Sequence, residues 1–244
     1  MRYCIILLMC YSVAGELLAD ENRRIEFRTI GVAPYGIQGK PDSGIYYEAA
    51  ELLLKDAGYP LSNFIAPYAR IIKELKAGTT DATIMFKYEE LEGHVTYIAP
   101  FDTLKIVVIG LKGRSYPSIE SLKGKRLAYL RGAKFSDEID NEPEITRQDT
   151  IDFSQGLKML ELGRVDAIIG PLDPLLYTAA KLFKKQDFFG KPLLVGERTP
   201  WLQVSKKSAD RISVEKLEDS FKKMQLSGQL DVIRNKYINF KHEY

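Results

Sequence analysis

The stretch IKELKAGTTDATI at residues 72–84 returns as LKMLELGRVDAII at residues 157–169, at a fixed offset of 85 positions and without a gap. Each copy carries an apolar helix face, then a glycine suited to end a helix, then an Asp-Ala pair that opens an apolar run. Two copies of one helix-to-strand unit predict two similarly built lobes, because a solenoid needs at least three repeats.

The residues before and within the first copy follow the order of an α/β protein. Alternation from Ile25 to Val32 predicts a strand, and apolar spacing predicts helices over 45–57 and 68–76. The apolar run 82–86 predicts a buried strand. This order of strand, helix, helix and strand favours winding around a parallel sheet.

Two apolar segments are placed to connect the lobes. Leu104–Leu111 predicts a long strand that passes from the first lobe to the second, and Leu193–Val204 predicts the return. The expected organisation is therefore a first lobe of residues 20–107 plus 200–244 and a second lobe of residues 108–199.

The composition is that of a globular protein. The 244 residues are 45% hydrophobic, and 35 Lys and Arg against 33 Asp and Glu leave a formal charge of +2. This excludes a disordered chain and argues against nucleic acid as a partner.

The N-terminus has the pattern of a secretory signal peptide. A basic start precedes the apolar run Tyr3–Val13, which is too short to span a bilayer as a helix, and small residues follow. We expect a signal peptide within residues 1–19, cleaved after Ala14 or Ala19, and a periplasmic product without cysteine. The alternative is a buried first strand or helix.

Several motifs, in their order and spacing, resemble the extracellular solute-binding proteins of family 3, the amino-acid-binding class that serves bacterial ABC importers. The resemblance covers about residues 25–237. The motifs that carry it are Pro34-Tyr35, Gly44–Glu48, 72–84, Leu122–Leu127 with Arg131-Gly132, Gly163–Ala167 and Leu226–Leu230.

The resemblance implies a two-lobed α/β fold of the type II periplasmic-binding kind, with two crossing strands at the hinge. It also implies a monomer that captures a small polar, carboxylate-bearing solute for an inner-membrane ABC permease, without cofactor or metal. The alternatives from other classes are an exported lyase or dehydratase on the same fold and a ligand-sensing subunit.

The sequence departs from the family pattern at two ligand positions. The arginine that grips the ligand carboxylate falls near Gly93, and the aspartate that receives the ligand ammonium aligns near Pro171, with Asp173 two residues on. We therefore hypothesise that Arg70 holds an anionic group of the ligand, since a guanidinium binds a carboxylate through two parallel hydrogen bonds. The departures leave it open whether the ligand is an ordinary α-amino acid.

The candidate ligand-binding residues combine aromatic walls with charged or turn residues. For each there is a plainer alternative: packing for the aromatic rings, and an exposed position for the charged side chains. The set is Tyr35, Tyr68, Arg70, Phe86, Lys87, Arg131, Ala133, Lys134 and Asp173.

Signals of enzymatic activity are weak. The two histidines, His94 and His242, are remote in sequence and lack neighbours at metal-ligand spacing. There is no nucleophile elbow, phosphate loop or dinucleotide fingerprint. We therefore expect a binding protein rather than an enzyme, although the fold alone does not decide this.

Overall fold

The computed structural model describes residues 24–184 and 187–238. The expected signal peptide lies outside these residues. The strands are β1 (Ile25–Ile30), β2 (Leu61–Ala66), β3 (Ala82–Phe86), β4 (Val95–Pro100), β5 (Leu104–Ile109), β6 (Arg126–Leu130), β7 (Thr146–Thr150), β8 (Ala167–Pro171), β9 (Leu193–Arg198) and β10 (Pro200–Ser205). The helices are α1 (Ile45–Asp56), α2 (Tyr68–Ala77), α3 (Asp137–Asp140), α4 (Phe153–Glu161), α5 (Leu172–Phe183), α6 (Val214–Leu226) and α7 (Gln229–Tyr237).

The described residues form two sheets of the same design. The first has the order β2-β1-β3-β10-β4 and the second β7-β6-β8-β5-β9. In each, three parallel strands are followed by a fourth that pairs antiparallel with the third and a fifth that pairs antiparallel with the fourth. Helices cover the sheets: α1 packs on β2, and α4 packs on β6. The two-lobed α/β fold expected from the repeat is confirmed.

The repeated stretch forms equivalent elements in the two lobes. Helix α2 ends at Gly78 and α4 is followed by Gly163, and both glycines have a left-handed backbone, with φ of 75° and 67°. The Asp-Ala pair then leads into the third parallel strand, where Ala82 lies opposite Phe27 and Ala167 opposite Leu127. The offset of 85 residues thus relates two structural units.

The chain crosses between the sheets in two short segments, residues 101–103 and Thr199. All of β5 pairs within the second sheet, so Leu104 already belongs to it and the expected division between residues 107 and 108 falls inside this strand. β9 and β10 lie in different sheets on either side of Thr199. The hydroxyl oxygens of Thr103 and Thr199 are 2.7 Å apart, so the two crossings are hydrogen-bonded to each other.

Candidate functional site

A small cavity lies where the two lobes meet, and we call it the interlobe cavity. The first lobe contributes Tyr35, Tyr68 and Phe86 to its walls, and the second contributes Leu104 and Pro171. The volume is about 20 Å³, which is room for about one water molecule. A solute can therefore occupy this site only if the lobes separate.

Strand topology brings the aromatic walls together. Tyr35 lies in the loop after β1, Tyr68 begins α2 directly after β2, and Phe86 ends β3. Because these three strands are parallel neighbours, their carboxyl ends share one edge of the sheet. The amide of Tyr46, in α1, donates to the carbonyl of Tyr35 (2.9 Å) and ties the first loop to this edge.

The tyrosines of the cavity pack as aromatic pairs and stay neutral. The rings of Tyr35 and Tyr46 stack with centroids 4.3 Å apart, and Tyr68 meets Tyr88 edge-on at 5.9 Å. Burial is the main cause that raises the pKa of Tyr35, Tyr46 and Tyr68 well above 10. Their hydroxyl groups therefore keep their protons as hydrogen-bond donors at physiological pH.

Arg198, the last residue of β9, joins the two lobes beside this cavity. Its Nη2 donates to the carbonyl of Lys87 in the first lobe (2.6 Å), and its Nη1 donates to the carbonyl of Lys134 in the second (2.7 Å). The guanidinium carbon lies 5.0 Å from the ring centroid of Phe86. Arg198 was not among the predicted site residues, and its one available signal was its position within the predicted return segment, Leu193–Val204.

The lobes also approach each other closely at Gly132. This residue has φ of 76°, and a Cβ built on it would lie 3.2 Å from the Cβ of Ala69 in the other lobe. A larger side chain at position 132 would therefore meet α2 of the first lobe before the lobes reached this separation.

Replacing Gly132 by valine should hold the lobes apart. The radius of gyration of the unliganded protein, measured by solution X-ray scattering, should increase relative to the parent. Gly124→Val is the matched control, because Gly124 also has a left-handed backbone (φ 72°) but has no atom within 4 Å of the Cβ position. Equal radii for both variants would contradict the contact between the lobes.

Lys87 was expected to point into the cleft, but its side chain lies elsewhere. The Nζ atom is 3.8 Å from the ring centroid of Trp201 and 4.3 Å from that of Tyr97, and the side chain is exposed. A cation over two aromatic faces is a favourable contact in itself. Lys87 thus serves the cleft through its backbone carbonyl, which accepts from Arg198.

The turn after β6 was expected to offer backbone amides and side chains to an anion. The amide of Arg131 instead donates to the carbonyl of Thr150 (2.9 Å), and that of Ala133 donates to the carbonyl of Leu130 (3.0 Å). The side chains of Arg131 and Lys134 are exposed, whereas Ala133 is buried. Two of the turn's amides are therefore used inside the second lobe, and the turn offers the carbonyl of Lys134 to Arg198.

Arg70 is separated from the aromatic walls. Its side chain is 63% exposed, and its Nε atom donates to Glu74 (2.6 Å), one helical turn along α2. It borders a surface hollow together with Arg28 and Phe64. The structure therefore does not bring Arg70 to the interlobe cavity.

Asp173, expected to receive a ligand ammonium, faces a cation of the protein itself. It lies in the first turn of α5, and its Oδ2 is 3.8 Å from Nη2 of Arg234 in α7. Nη1 of Arg234 is 3.7 Å from Asp102, in the first crossing segment. These side chains link both lobes and the crossing.

The described part of the chain contains neither a candidate metal centre nor a membrane-spanning helix. No group of three or more His, Cys, Asp or Glu within it could hold a metal ion. None of the helices within it is long and apolar enough to cross a membrane.

Comparisons with known proteins rest on structure. No protein-family model and no curated protein matches the sequence. An ancestral arginine-binding protein bound to glutamine has a TM-score of 0.76 at 21% identity, over 89% of this chain and 98% of that chain. The substrate-binding protein of an amino acid ABC transporter has a TM-score of 0.72 at 19% identity, over 89% and 99%.

A ligand-binding core from another protein has the same architecture. The GluR0 ligand-binding core from Nostoc punctiforme, in complex with L-glutamate, has a TM-score of 0.76 at 15% identity, over 88% of this chain and 100% of that chain. The matches extend over nearly the full length of each of these proteins. The chain therefore has the two-lobed α/β fold found in these amino-acid-binding proteins.

Proposed function

We propose that this protein is a periplasmic solute-binding protein of the family 3 type. It captures a small carboxylate-bearing solute between its lobes and delivers it to an inner-membrane ABC importer. The observation that carries the proposal is the interlobe cavity, with aromatic walls and a guanidinium that bridges the lobes. The likeness in fold to the binding protein of an amino acid ABC transporter supports it.

The chemistry of the cleft favours an anionic group on the solute. Arg198 has five N–H donors, and two donate to carbonyl oxygens of Lys87 and Lys134, so others remain for a carboxylate. In this proposal, closure of the lobes around the solute excludes water, which strengthens a charged hydrogen bond. In this proposal Arg198 supplies, from the second lobe, the charge that is missing near Gly93.

Opening and closing of the two lobes at the hinge controls the access of the solute to the interlobe cavity. The two crossings are only three residues and one residue long, and the Thr103–Thr199 hydrogen bond holds them side by side. Rotation about such a short pair of segments moves the lobes as rigid bodies. The solute enters the open form, and closure brings Arg198 and the aromatic walls around it.

One purification tests the proposal. Protein recovered from the periplasm should have an intact mass that lacks 14 to 19 N-terminal residues, as the signal pattern predicts. Denaturing it should release a small carboxylic acid that mass spectrometry identifies. That compound should bind the refolded protein saturably, measured by calorimetry, and should remain chemically unchanged.

Two results would overturn parts of the proposal separately. Conversion of the compound to a product would favour an exported lyase over a carrier. A full-length mass in the cytoplasmic fraction would refute the periplasmic location while leaving the binding measurement intact.

A further inference from the structure

A second and larger cavity lies at the hinge, and we call it the hinge-side cavity. Its volume is about 210 Å³, about ten times that of the interlobe cavity. Its walls come from α1, α6, α7 and the first crossing segment, so it belongs mainly to the first lobe. Tyr35, Tyr46 and Leu104 line both cavities, and the stacked pair of tyrosine rings lies between the two spaces.

Aromatic rings form much of the wall of the hinge-side cavity. Tyr46 meets Phe101 edge-on at 5.3 Å, and Phe101 meets Phe221 edge-on at 5.1 Å. In such pairs the edge of one ring meets the face of the next, so the rings form a continuous apolar surface. The wall thus suits the apolar body of a ligand.

The charged groups around this cavity determine which charge it favours. Asp102, Asp231 and Arg234 line it. Arg234 lies between the carboxylates of Asp102 (3.7 Å) and Asp173 (3.8 Å), so its charge is compensated. Asp231, in the first turn of α7, forms no ion pair with any residue in the described part of the chain. The carboxylate of Asp231 is therefore available to a ligand at the rim.

We propose that the hinge-side cavity binds a small organic ammonium ion with an apolar body. The apolar body packs on Tyr46, Phe101 and Phe221, and the ammonium group faces Asp231. A volume of about 210 Å³ suits a compact ligand of this kind. This site is distinct in place and in charge preference from the carboxylate site proposed between the lobes.

Binding of 2-phenylethylamine is the direct test, with 3-phenylpropionate as a probe of similar shape and opposite charge. Calorimetry should show saturable binding of the amine with a Kd of roughly 1 mM or tighter, and little or no binding of the carboxylate. In two-dimensional NMR the amine should shift the amide signals of 101–102 and 231–234. Signals at Tyr68 and Phe86 should stay unchanged.

Two variants locate the ammonium. Asp231→Asn should weaken amine binding about fivefold or more. Asp219→Asn, an equal charge change on α6 outside the cavity, should leave it unchanged. Equal binding of the two probes, equal affinity in Asp231→Asn and the parent, or NMR shifts confined to Tyr68 and Phe86 would each overturn the proposal.

Discussion

Replacing Arg198 by alanine is expected to weaken solute binding by about 30-fold or more. The guanidinium joins the carbonyl groups of Lys87 and Lys134 across the lobes and, in the proposed function, holds the carboxylate of the solute. Removal of one partner of a desolvated, hydrogen-bonded charge pair typically costs about 2 to 5 kcal/mol of binding free energy. Calorimetry with the compound recovered from the parent protein measures the loss.

Two companion variants make this result specific. Arg198→Lys keeps the charge but lacks the planar fork that reaches two acceptors, so it should also bind more weakly than the parent. Arg70→Ala removes the same charge from an exposed helix position, where Arg70 is paired with Glu74, and should bind within about threefold of the parent. A large loss in Arg70→Ala together with near-normal binding in Arg198→Ala would restore Arg70 as the anion site.

Replacing Asp81 by alanine is expected to lower the free energy of unfolding by about 3 to 5 kcal/mol. The Asp81 side chain is only 3% exposed, and it accepts from Arg211 (2.6 Å), from the hydroxyl of Ser208 (2.6 Å) and from the amide of Glu26 (2.8 Å). Its removal leaves the largely buried Arg211 without its carboxylate. Chemical denaturation monitored by circular dichroism measures the change.

The equivalent aspartate of the second lobe is the matched control. Asp166 accepts from the amide of Arg126 (2.9 Å) and from its guanidinium (3.1 Å), but its side chain is 20% exposed and Arg126 is 44% exposed. Because water can replace the lost partner, Asp166→Ala should cost only about 1 to 2 kcal/mol. Equal losses in the two variants would contradict this account of burial.

Acidification should remove the contribution of Asp166. Hydrogen bonds from the Arg126 side chain are the main cause that lowers the pKa of this carboxyl below its ordinary value of 3.8. A lowered pKa in the folded state stabilises the protein fully above the unfolded pKa, and this is lost as the pH falls through the folded pKa. The difference between the parent and Asp166→Ala should therefore shrink below about pH 4.

These two aspartates help to explain why the internal repeat could be recognised from the sequence. In each lobe the aspartate accepts from a backbone amide at the start of the neighbouring strand: Glu26 for Asp81 and Arg126 for Asp166. The helix, the left-handed glycine, the aspartate and the buried strand all lie within 19 consecutive residues, 68–86 in the first lobe and 153–171 in the second. Because all parts of this unit are close together in the chain, the sequence alone is enough to predict it.

Other elements could not be predicted from the sequence, because their sequence patterns are weak or because their position depends on residues far away in the chain. Strand β2 was not predicted, because as an edge strand it is only partly buried and lacks clear alternation. The crossings were located only approximately, since β5 reads as one continuous apolar strand whichever sheet it joins. Pairing with β8 and β9 places β5 in the second sheet.

The sequence by itself determined the α/β class and the two lobes, because periodicity, helix endings and buried runs are properties of short windows. Tertiary structure alone decided which cation reaches the cleft. The sequence does not show which of Arg70 and Arg198 lies at the cleft. In the structure Arg70, on α2, pairs with Glu74 at the surface, whereas Arg198, at the end of β9, donates to carbonyl groups of both lobes. The partners of Arg198 are 64 and 111 residues away in the chain, and only folding brings them within hydrogen-bond distance.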